Sequence, residues 1–105
     1  MKHVKISIYI NEADKWQHHP LYLELLNVLH AHQIAGATVL RAMAGFTLNN
    51  PVQTTSLVDI GSKLPLVVQF VDTVAKVDTV LPELKARVGE RLIISESVTI
   101  LSLEK

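Results

Sequence analysis

Histidines are the residues of this chain best suited to proton or metal chemistry, and four of the five fall in two close pairs. One pair is His18 with His19, and the other is His30 with His32. On a helix the side chains of His30 and His32 would point about 200° apart, so they could not share one ion within a subunit. No zinc motif such as Cys-x-x-Cys or His-Glu-x-x-His is present. We therefore expect surface or capping histidines and no metal site.

Nucleophilic and acid–base residues form no recognisable catalytic set. The chain has no cysteine, which removes thiolate chemistry and disulfides. Its serines lie in no nucleophile motif, and Glu83, Glu90 and Glu96 have no evident carboxylate partner. We therefore predict a protein that is not an enzyme, with no catalytic residues.

A strand framed by two glycines is the stretch most suggestive of ligand binding. Gly36 and Gly45 bracket the small and branched residues of this strand, and a loop follows at 47–56. A backbone that comes close to a ligand needs glycine, because a Cβ would collide. Binding residues also concentrate on loops held by a rigid scaffold. We expect the function at the two ends of this strand, although either glycine alone could be a simple turn residue.

Bulk composition limits the possible roles of the chain. Its 105 residues indicate a single domain spanning 1–105. Ten basic and ten acidic residues cancel, which gives no electrostatic support for nucleic-acid or anionic-membrane binding. No apolar run approaches a membrane span and the start is not a signal peptide, so we expect a cytoplasmic protein. Hydrophobic residues make up 49% of the chain, which favours an apolar surface between subunits.

Hydrophobic periodicity predicts the elements that must position these residues. The predicted elements are a strand at 4–10, a loop at 11–18, a helix from Pro20 to His32 or Gln33, strands at 37–44 and 64–71, and a helix at 74–88. A strand at 57–60, resumed after the loop, and two further strands at 92–94 and 98–103, separated by a turn or bulge, complete the list. Asp72 is expected to cap the second helix, Pro82 to kink or restart it, and Gly89 to end it.

The order βαββαβ predicts a ferredoxin-like α+β plait with a four-stranded antiparallel sheet and both helices on one face. The strand at 64–71 is apolar on both faces, with Leu66 and Phe70 on one side and Val67 and Val71 on the other. Helices can cover only one face. We therefore expect a second subunit to cover the other face.

Several segments together resemble the DUF190 family, which is similar to the PII signalling proteins. They are Pro20-Leu-Tyr22, Ile34-Ala-Gly-Ala-Thr-Val-Leu-Arg41, Gly45-Phe46, Leu64-Pro65 and Asp72. In PII chains a helix also runs into an Ile-x-Gly-x-Thr-Val strand, which leads to Gly-Phe, a mobile T-loop and a Leu-Pro strand. The resemblance covers nearly the whole chain and is most specific between residues 34 and 46.

The resemblance implies a homotrimer packed sheet to sheet, with an adenine nucleotide (AMP, ADP, ATP or a cyclic form) as effector in each inter-subunit cleft. No other cofactor is implied. Carried over, Gly36, Ala37 and Thr38 would line the pocket, Gly45 and Phe46 would form the loop base, and Arg41 could donate to a phosphate or carboxylate. A structural salt bridge at the subunit interface is the alternative role for Arg41.

Two departures from the PII pattern affect these expectations. The junction after the second helix holds one glycine and one arginine, Gly89 and Arg91, instead of a glycine- and lysine-rich loop. We therefore expect a monophosphate, diphosphate or cyclic nucleotide to fit better than a triphosphate. Gln33 stands where glycine is frequent, and a left-handed backbone there would cost about 1 kcal/mol.

The sequence therefore predicts a non-enzymatic PII-like regulatory trimer that binds a small anionic metabolite and signals through the loop 47–56. The resemblance implies a membrane transporter or channel as partner, and the balanced charge of the chain predicts no nucleic-acid partner. A small dimeric α+β-barrel enzyme is one alternative, which needs a polar core group from Gln69, Arg41 or His32. A CutA-like metal-tolerance trimer is another, with copper held by His18 and His19.

Overall fold

The structure, a computed structural model, describes residues 2–54 and 63–103. Its elements, in chain order, are β1 (His3–Asn11), β2 (Lys15–Trp16), β3 (His19–Pro20), α1 (Leu21–Ala31), β4 (Gly36–Arg41), β5 (Ala44–Gly45), β6 (Gln53–Thr54), β7 (Pro65–Thr73), α2 (Val74–Val88) and β8 (Ile93–Val98). None of the helices in these residues is both long and apolar enough to cross a membrane. The predicted strand at 57–60 lies outside the described residues, as do the last two residues of the predicted loop.

Four strands form the main sheet in the order β4-β7-β1-β8, and every neighbouring pair is antiparallel. Both helices pack against each other and against this sheet. The predicted ferredoxin-like α+β plait is therefore confirmed. The homotrimer remains a prediction.

Alternation along the strands places the hydrophobic core between the sheet and the helices. In β7 every second residue is buried, beginning with Leu66, because these side chains face α1 and α2. The core side chains are Ile6, Ile8, Ile10, Leu21, Leu25, Val28, Leu29, Leu66, Val68, Phe70, Val77, Val80, Leu84 and Val88.

The opposite face of the sheet, which we call the uncovered face, contributes none of these core side chains. Val67 and Val71 are only half-buried there, while Leu40 and Ile94 are 48% and 36% exposed. Strand pairing places Leu40 directly beside Val67, so these apolar side chains lie on a common surface. The predicted two-sided apolar strand is confirmed.

The predicted loop at 11–18 instead contains part of a small hairpin formed by β2 and β3. Its two-residue turn consists of Gln17 and His18, which have φ values of 46° and 71°. Two positive φ angles give a type I′ turn, which glycine and asparagine favour, so the sequence carried no signal for it. Pro20 lies at the N-cap of α1, one residue before its predicted position.

The start of α2 differs from the prediction by one residue. Thr73 caps the helix by accepting a hydrogen bond from the Lys76 N–H at 3.2 Å. The prediction of Asp72 as the cap was therefore wrong, because its carboxylate is turned towards the Ala35 N–H instead. Gly89 ends the helix with a φ of 64°, as predicted.

Pro82 does not restart the second helix, which runs unbroken from Val74 to Val88. Proline removes one N–H and so leaves the carbonyl of Asp78 without its helical partner. Both residues lie on the exposed side of α2, where water can satisfy that carbonyl. The helix can therefore tolerate the proline without ending.

The last strand is a single element, β8, and not two. It passes through 95–97 without a break and pairs with β1 along its whole length. Residues 99–103 belong to no strand, so that part of the prediction was also wrong. Likewise, the predicted strand 37–44 is divided into β4, which ends at Arg41, and the short β5.

Candidate functional site

A cleft of about 660 Å³ lies where β1 and β7 meet the segment 42–54, which we call the arm. Gly45 and Phe46 of the arm form part of its wall. Asp14, which follows β1, and Glu90 and Arg91, which follow α2, also line it. The cleft therefore joins the base of the arm to the junction between α2 and β8.

The arm is held to the sheet at its base by backbone pairing. The Ala42 N–H donates to the Pro65 carbonyl at 2.9 Å, immediately after β4 ends. The arm then folds back on itself, with β5 antiparallel to β6. Asn11 of β1 donates through its side-chain amide to Gln53 Oε1 at 2.5 Å, which ties the returning side of the arm to the sheet. A ligand in the cleft would thus contact an arm anchored at both sides.

Arg91 is the one cation among the described residues that line this cleft, and two acceptors fix its position. Its Nε donates to Asp14 Oδ2 at 3.0 Å, and another N–H donates to the Val88 carbonyl at 2.6 Å. Asp14 Oδ2 also accepts from the Asn11 N–H at 2.8 Å. Since a guanidinium has five N–H donors, Arg91 retains capacity for an anion. Asp14 and Glu90 supply two negative charges to the same cleft, so its described lining residues have a formal balance of one negative charge.

Arg41 lies at the end of β4 and pairs with Glu12. Its Nε is 3.1 Å from Glu12 Oε2, and its Nη2 donates to Glu12 Oε1 at 3.1 Å. Oε1 also accepts from the Leu64 N–H at 2.8 Å. The Leu64 hydrogen bond and then the Arg41 guanidinium lower the pKa of Glu12. The structure thus shows a salt bridge within one subunit, while the interface salt bridge and the ligand contact predicted for Arg41 both stay predictions.

A second groove, of about 450 Å³, lies at the other end of β4, between this strand and α1. Gly36 and Ala37 line it from the strand side. A Cβ built on Gly36 would meet no atom of the described residues within 4 Å, so none of those residues requires glycine at this position. A close approach by a ligand or a second subunit is a remaining physical reason for glycine there.

Asp72 holds the start of β4 in place. Its carboxylate accepts from the Ala35 N–H at 2.9 Å and from the Thr73 N–H at 2.6 Å. Burial raises the pKa of this carboxyl, but the hydrogen bonds from Thr73 and Ala35 outweigh that effect and the pKa is lowered. Lys76 completes the cluster, since its ammonium lies 3.7 Å from Asp72 and donates to the Gln33 carbonyl. Gln33 has a φ of 57°, the left-handed conformation considered from the sequence.

The six predicted binding residues fall into separate places within one subunit. Gly36 and Ala37 line the groove, whereas Gly45 and Phe46 line the cleft. Thr38 is exposed on the uncovered face beside Gln69. The five steps from Gly36 to Arg41 span about 17 Å. One subunit therefore does not unite these residues, and their joint role remains a prediction.

Sequence reasoning missed several residues that shape the two regions. Arg91 was noted only as a lone arginine after the second helix, and Asp14 carried no signal, because 77 residues separate this pair in the chain. Asp72 was assigned to the wrong partner, and Lys76 was not considered. Hydrogen bonds between distant residues have no local pattern that a sequence displays.

Two further residues, His32 and Trp16, have structural contacts. His32 forms an ion pair and hydrogen bond with Glu83 of α2. Trp16 packs against the core and lies under the Arg87 guanidinium, 5.3 Å from the ring centroid. Among residues 2–54 and 63–103, no three histidine, aspartate or glutamate side chains are grouped so that they could hold a metal ion.

Comparisons with known proteins identify a family and a fold. The sequence model of the DUF190 family, described as uncharacterized ACR, matches residues 3–100. A UPF0166 protein of Aquifex aeolicus is 31% identical over 98 residues, which cover 93% of this chain and 92% of that protein. A UPF0166 protein of Methanocaldococcus jannaschii is 28% identical over 79 residues, which cover 75% and 72% of the two chains.

Among solved structures, the fold is similar to that of CPII from Thiomonas intermedia K12, a structure of that protein bound to ADP and bicarbonate. The TM-score is 0.57 at 16% sequence identity, and the match covers 93% of this chain and 89% of that one. At this identity the likeness concerns the fold.

Proposed function

The chain belongs to the DUF190 family and has a PII-like fold, and from this premise we propose that it is a regulatory protein and not an enzyme. In this proposal it assembles as a homotrimer in the cytoplasm. It binds a small anionic metabolite, an adenine nucleotide, and signals by changing the state of the loop 47–56.

The cleft at the base of the arm is the observation that carries this proposal. Its volume of about 660 Å³ lies within the usual range of small-molecule sites. Gly45 and Phe46 belong both to the cleft wall and to the arm that leads into the loop. A ligand that contacts the arm differently in its two states must shift the balance between those states. Binding and signalling are thereby joined in one place.

The groups that line the cleft suit a nucleotide of low charge. Phe46 is 64% exposed, so its ring is available to stack on a planar base. Arg91 can offer its remaining donors to a phosphate. Asp14 and Glu90 disfavour the high charge of a triphosphate, which supports a monophosphate, diphosphate or cyclic nucleotide. The ADP of the CPII structure supports ADP as the first nucleotide to test.

Assembly gives the two ends of β4 a common role. In the main sheet β4 is an edge strand, so a neighbouring copy can lie along it. A ligand placed in that seam could contact Gly36, Ala37 and Thr38 on one side and the arm on the other. The uncovered face of the sheet supports the same assembly, because its apolar side chains need a second apolar surface.

The arm itself suggests the character of its partner, which we propose to be a membrane transporter or channel. The chain has no charged residue between Arg41 and Asp59. Met43, Phe46, Leu48 and Val52 are 61–80% exposed. An arm of this kind would bind through apolar contacts, and its affinity should change little with salt.

A thermal-shift panel of AMP, ADP, ATP, cyclic AMP and bicarbonate tests the nucleotide proposal. A ligand at 100 times its dissociation constant should add about 2.7 kcal/mol to the free energy of unfolding. Arg91→Ala should reduce the shift because the phosphate loses its donor. Gly36→Val and Thr38→Ala should reduce it if the ligand lies along β4, while Ala86→Ser, on the exposed side of α2, serves as the control.

The unliganded variants decide how the result is interpreted. Gly36→Ala should leave the stability of the unliganded subunit nearly unchanged, because an added Cβ meets no atom there. If ligand no longer raises the stability of this variant, the cause would therefore be a changed ligand contact along β4 and not misfolding. If no nucleotide produces a shift, or if the shift survives in both Arg91→Ala and Gly36→Val, the proposed site is wrong.

A further inference from the structure

Residues 99–103, which we call the C-terminal segment, have a strand-like sequence but no strand to pair with in the described chain. The segment reads Thr-Ile-Leu-Ser-Leu and follows directly after β8. Leu101 is 95% exposed and Leu103 is 51% exposed. In an extended strand these two residues would point to the same side. The exposure of these leucines to water is unfavourable. An extended segment of this kind can bury its side chains in an apolar groove and pair its backbone with an open strand edge.

The groove between α1 and β4 offers such a surface. Its apolar lining includes Leu26, Leu29 and Ile34, with Asn27 and His30 also present. It contains no lysine, arginine, aspartate or glutamate, and neither does the C-terminal segment. Within residues 2–54 and 63–103, the β4 strand beside it pairs on one side only, with β7. The groove and the C-terminal segment therefore both lack charged side chains. Each also has backbone N–H and C=O groups that are available for strand pairing.

A chain does not fill its own groove, although both features lie at the same end of the sheet. His3 pairs with Thr73 on one side and with Val98 on the other, while Gly36 pairs with Val71. The two edge strands, β4 and β8, are separated by β7 and β1, so the distance between them is about 14 Å. Crossing that distance would use nearly the whole reach of five residues, about 17 Å. None of the residues 99–103 lines the groove in the structure.

We propose that the C-terminal segment of one copy docks in the α1–β4 groove of a second copy. It adds a strand beside β4, and Leu101 and Leu103 provide the apolar contacts. Because the two surfaces differ, the contact repeats head to tail and closes into a ring. This inference rests on the proposed homotrimer and specifies which segments form its seams. Since Gly36 and Ala37 line the groove, the second copy completes that half of the predicted ligand site.

The absence of cysteine from the chain allows a direct cross-linking test. Leu101→Cys and Asn27→Cys are prepared separately, co-refolded in equal amounts and treated with a short bismaleimide. The mixture should give a cross-linked pair of chains, and either variant alone should give little. Leu101→Cys mixed with Ala86→Cys, which lies on the exposed side of α2, is the control and should also give little.

Two cross-linking results would overturn the docking. Efficient cross-linking of Leu101→Cys with itself would indicate a symmetric contact between C-terminal segments. Equal cross-linking to positions 27 and 86 would indicate that the segment has no defined binding site.

Removal of the segment gives a second measurement. A chain that ends at Val98 should associate with at least about a tenfold higher dissociation constant, because two leucines lose their burial. Leu101→Ser should show a smaller change in the same direction. This full-length variant keeps the test valid if the truncated chain does not fold. Unchanged association in both variants would contradict the docking.

Molar mass separates this inference from the proposed function. An intact trimer whose segments fail to cross-link would refute the docking and leave the nucleotide proposal standing. The mass of a single chain for the unmodified protein would refute both the docking and the assembly.

Discussion

At the scale of single residues, Asp72 links the stability of the fold to the geometry of the predicted site. Its carboxylate orients the Ala35 N–H, and Ala35 directly precedes the strand that carries Gly36. Asp72→Asn would place an amide N–H₂ opposite a backbone N–H in a site that is only 7% exposed. Hydrogen bonds to charged groups are worth about 1.5–3 kcal/mol, so we expect a loss of about 2 kcal/mol in unfolding free energy.

The pH dependence of that loss follows from the lowered pKa of Asp72. A lowered folded-state pKa means that the carboxylate stabilises the fold above its ordinary value of 3.8, and that this contribution disappears as the pH falls through the folded-state pKa. Urea unfolding should therefore show a large difference between the original chain and Asp72→Asn at neutral pH and a small one well below pH 3.8. Asp78→Asn, on the exposed side of α2, is the control. A pH-independent difference would contradict this account.

Arg41 allows a residue-level test between a structural and a ligand-binding role. Its side chain is 62% exposed, so its ion pair with Glu12 is well solvated. Exposed pairs contribute about 0–1 kcal/mol, and Arg41→Ala should therefore change the unfolding free energy by less than about 1 kcal/mol. A nucleotide shift lost in Arg41→Ala and not restored by Arg41→Lys would indicate a bidentate ligand contact. An unchanged shift would assign Arg41 to the salt bridge alone.

At the scale of elements, the β2–β3 hairpin carries strain that the sequence does not relieve. Gln17 and His18 both have positive φ, and neither is a residue that favours a type I′ turn. Gln17→Asn combined with His18→Gly should stabilise the protein by about 1–2 kcal/mol, measured as a higher urea midpoint at unchanged slope. Gln17→Val combined with His18→Val should destabilise it, because β-branched residues tolerate positive φ poorly. Equal midpoints for the two variants would contradict the assigned turn.

The sequence predicted the elements wherever burial alone determines the pattern. Apolar residues alternate with polar ones in β1 and recur every three to four residues in α2. Both patterns indicate which side faces the core, and the structure contains both elements where they were predicted. The C-terminal segment shows the limit of that signal. Its apolar residues predicted a strand, but a strand also needs a neighbour, and the chain supplies none in the described residues.

The candidate site was predictable only in part, for a similar reason. Gly45 and Phe46 could be found because glycine and a following loop are local features. The contacts of Arg91 with Asp14 and of Arg41 with Glu12 depend on tertiary folding. A sequence shows which residues can carry charge, but it does not show which pairs meet.

At the scale of the whole molecule, the uncovered face of the sheet bears on the proposed assembly. Strand pairing places Leu40 beside Val67 and Ser7 between Gln69 and Ile94 on this face. The apolar residues Leu40, Val67 and Ile94 therefore lie on β4, β7 and β8, and the polar residues Ser7 and Gln69 lie on the strands between the two edges. Leu40 and Ile94 remain exposed in a single copy, and burying both in a trimer would remove six such side chains from water.

A charge placed on this face should dissociate the assembly while the fold of each subunit is retained. Leu40→Glu and Ile94→Glu would each bring three carboxylates into the buried interface, where an unpaired charge is strongly unfavourable. We expect light scattering to give the mass of three chains for the original protein and of one chain for these variants, with unchanged far-ultraviolet circular dichroism. Ala86→Glu adds the same charge to the exposed side of α2 and should keep the trimer. If the two face variants retain the full mass, the uncovered face is not the subunit interface. In that case the contact through the α1–β4 groove would have to hold the trimer alone.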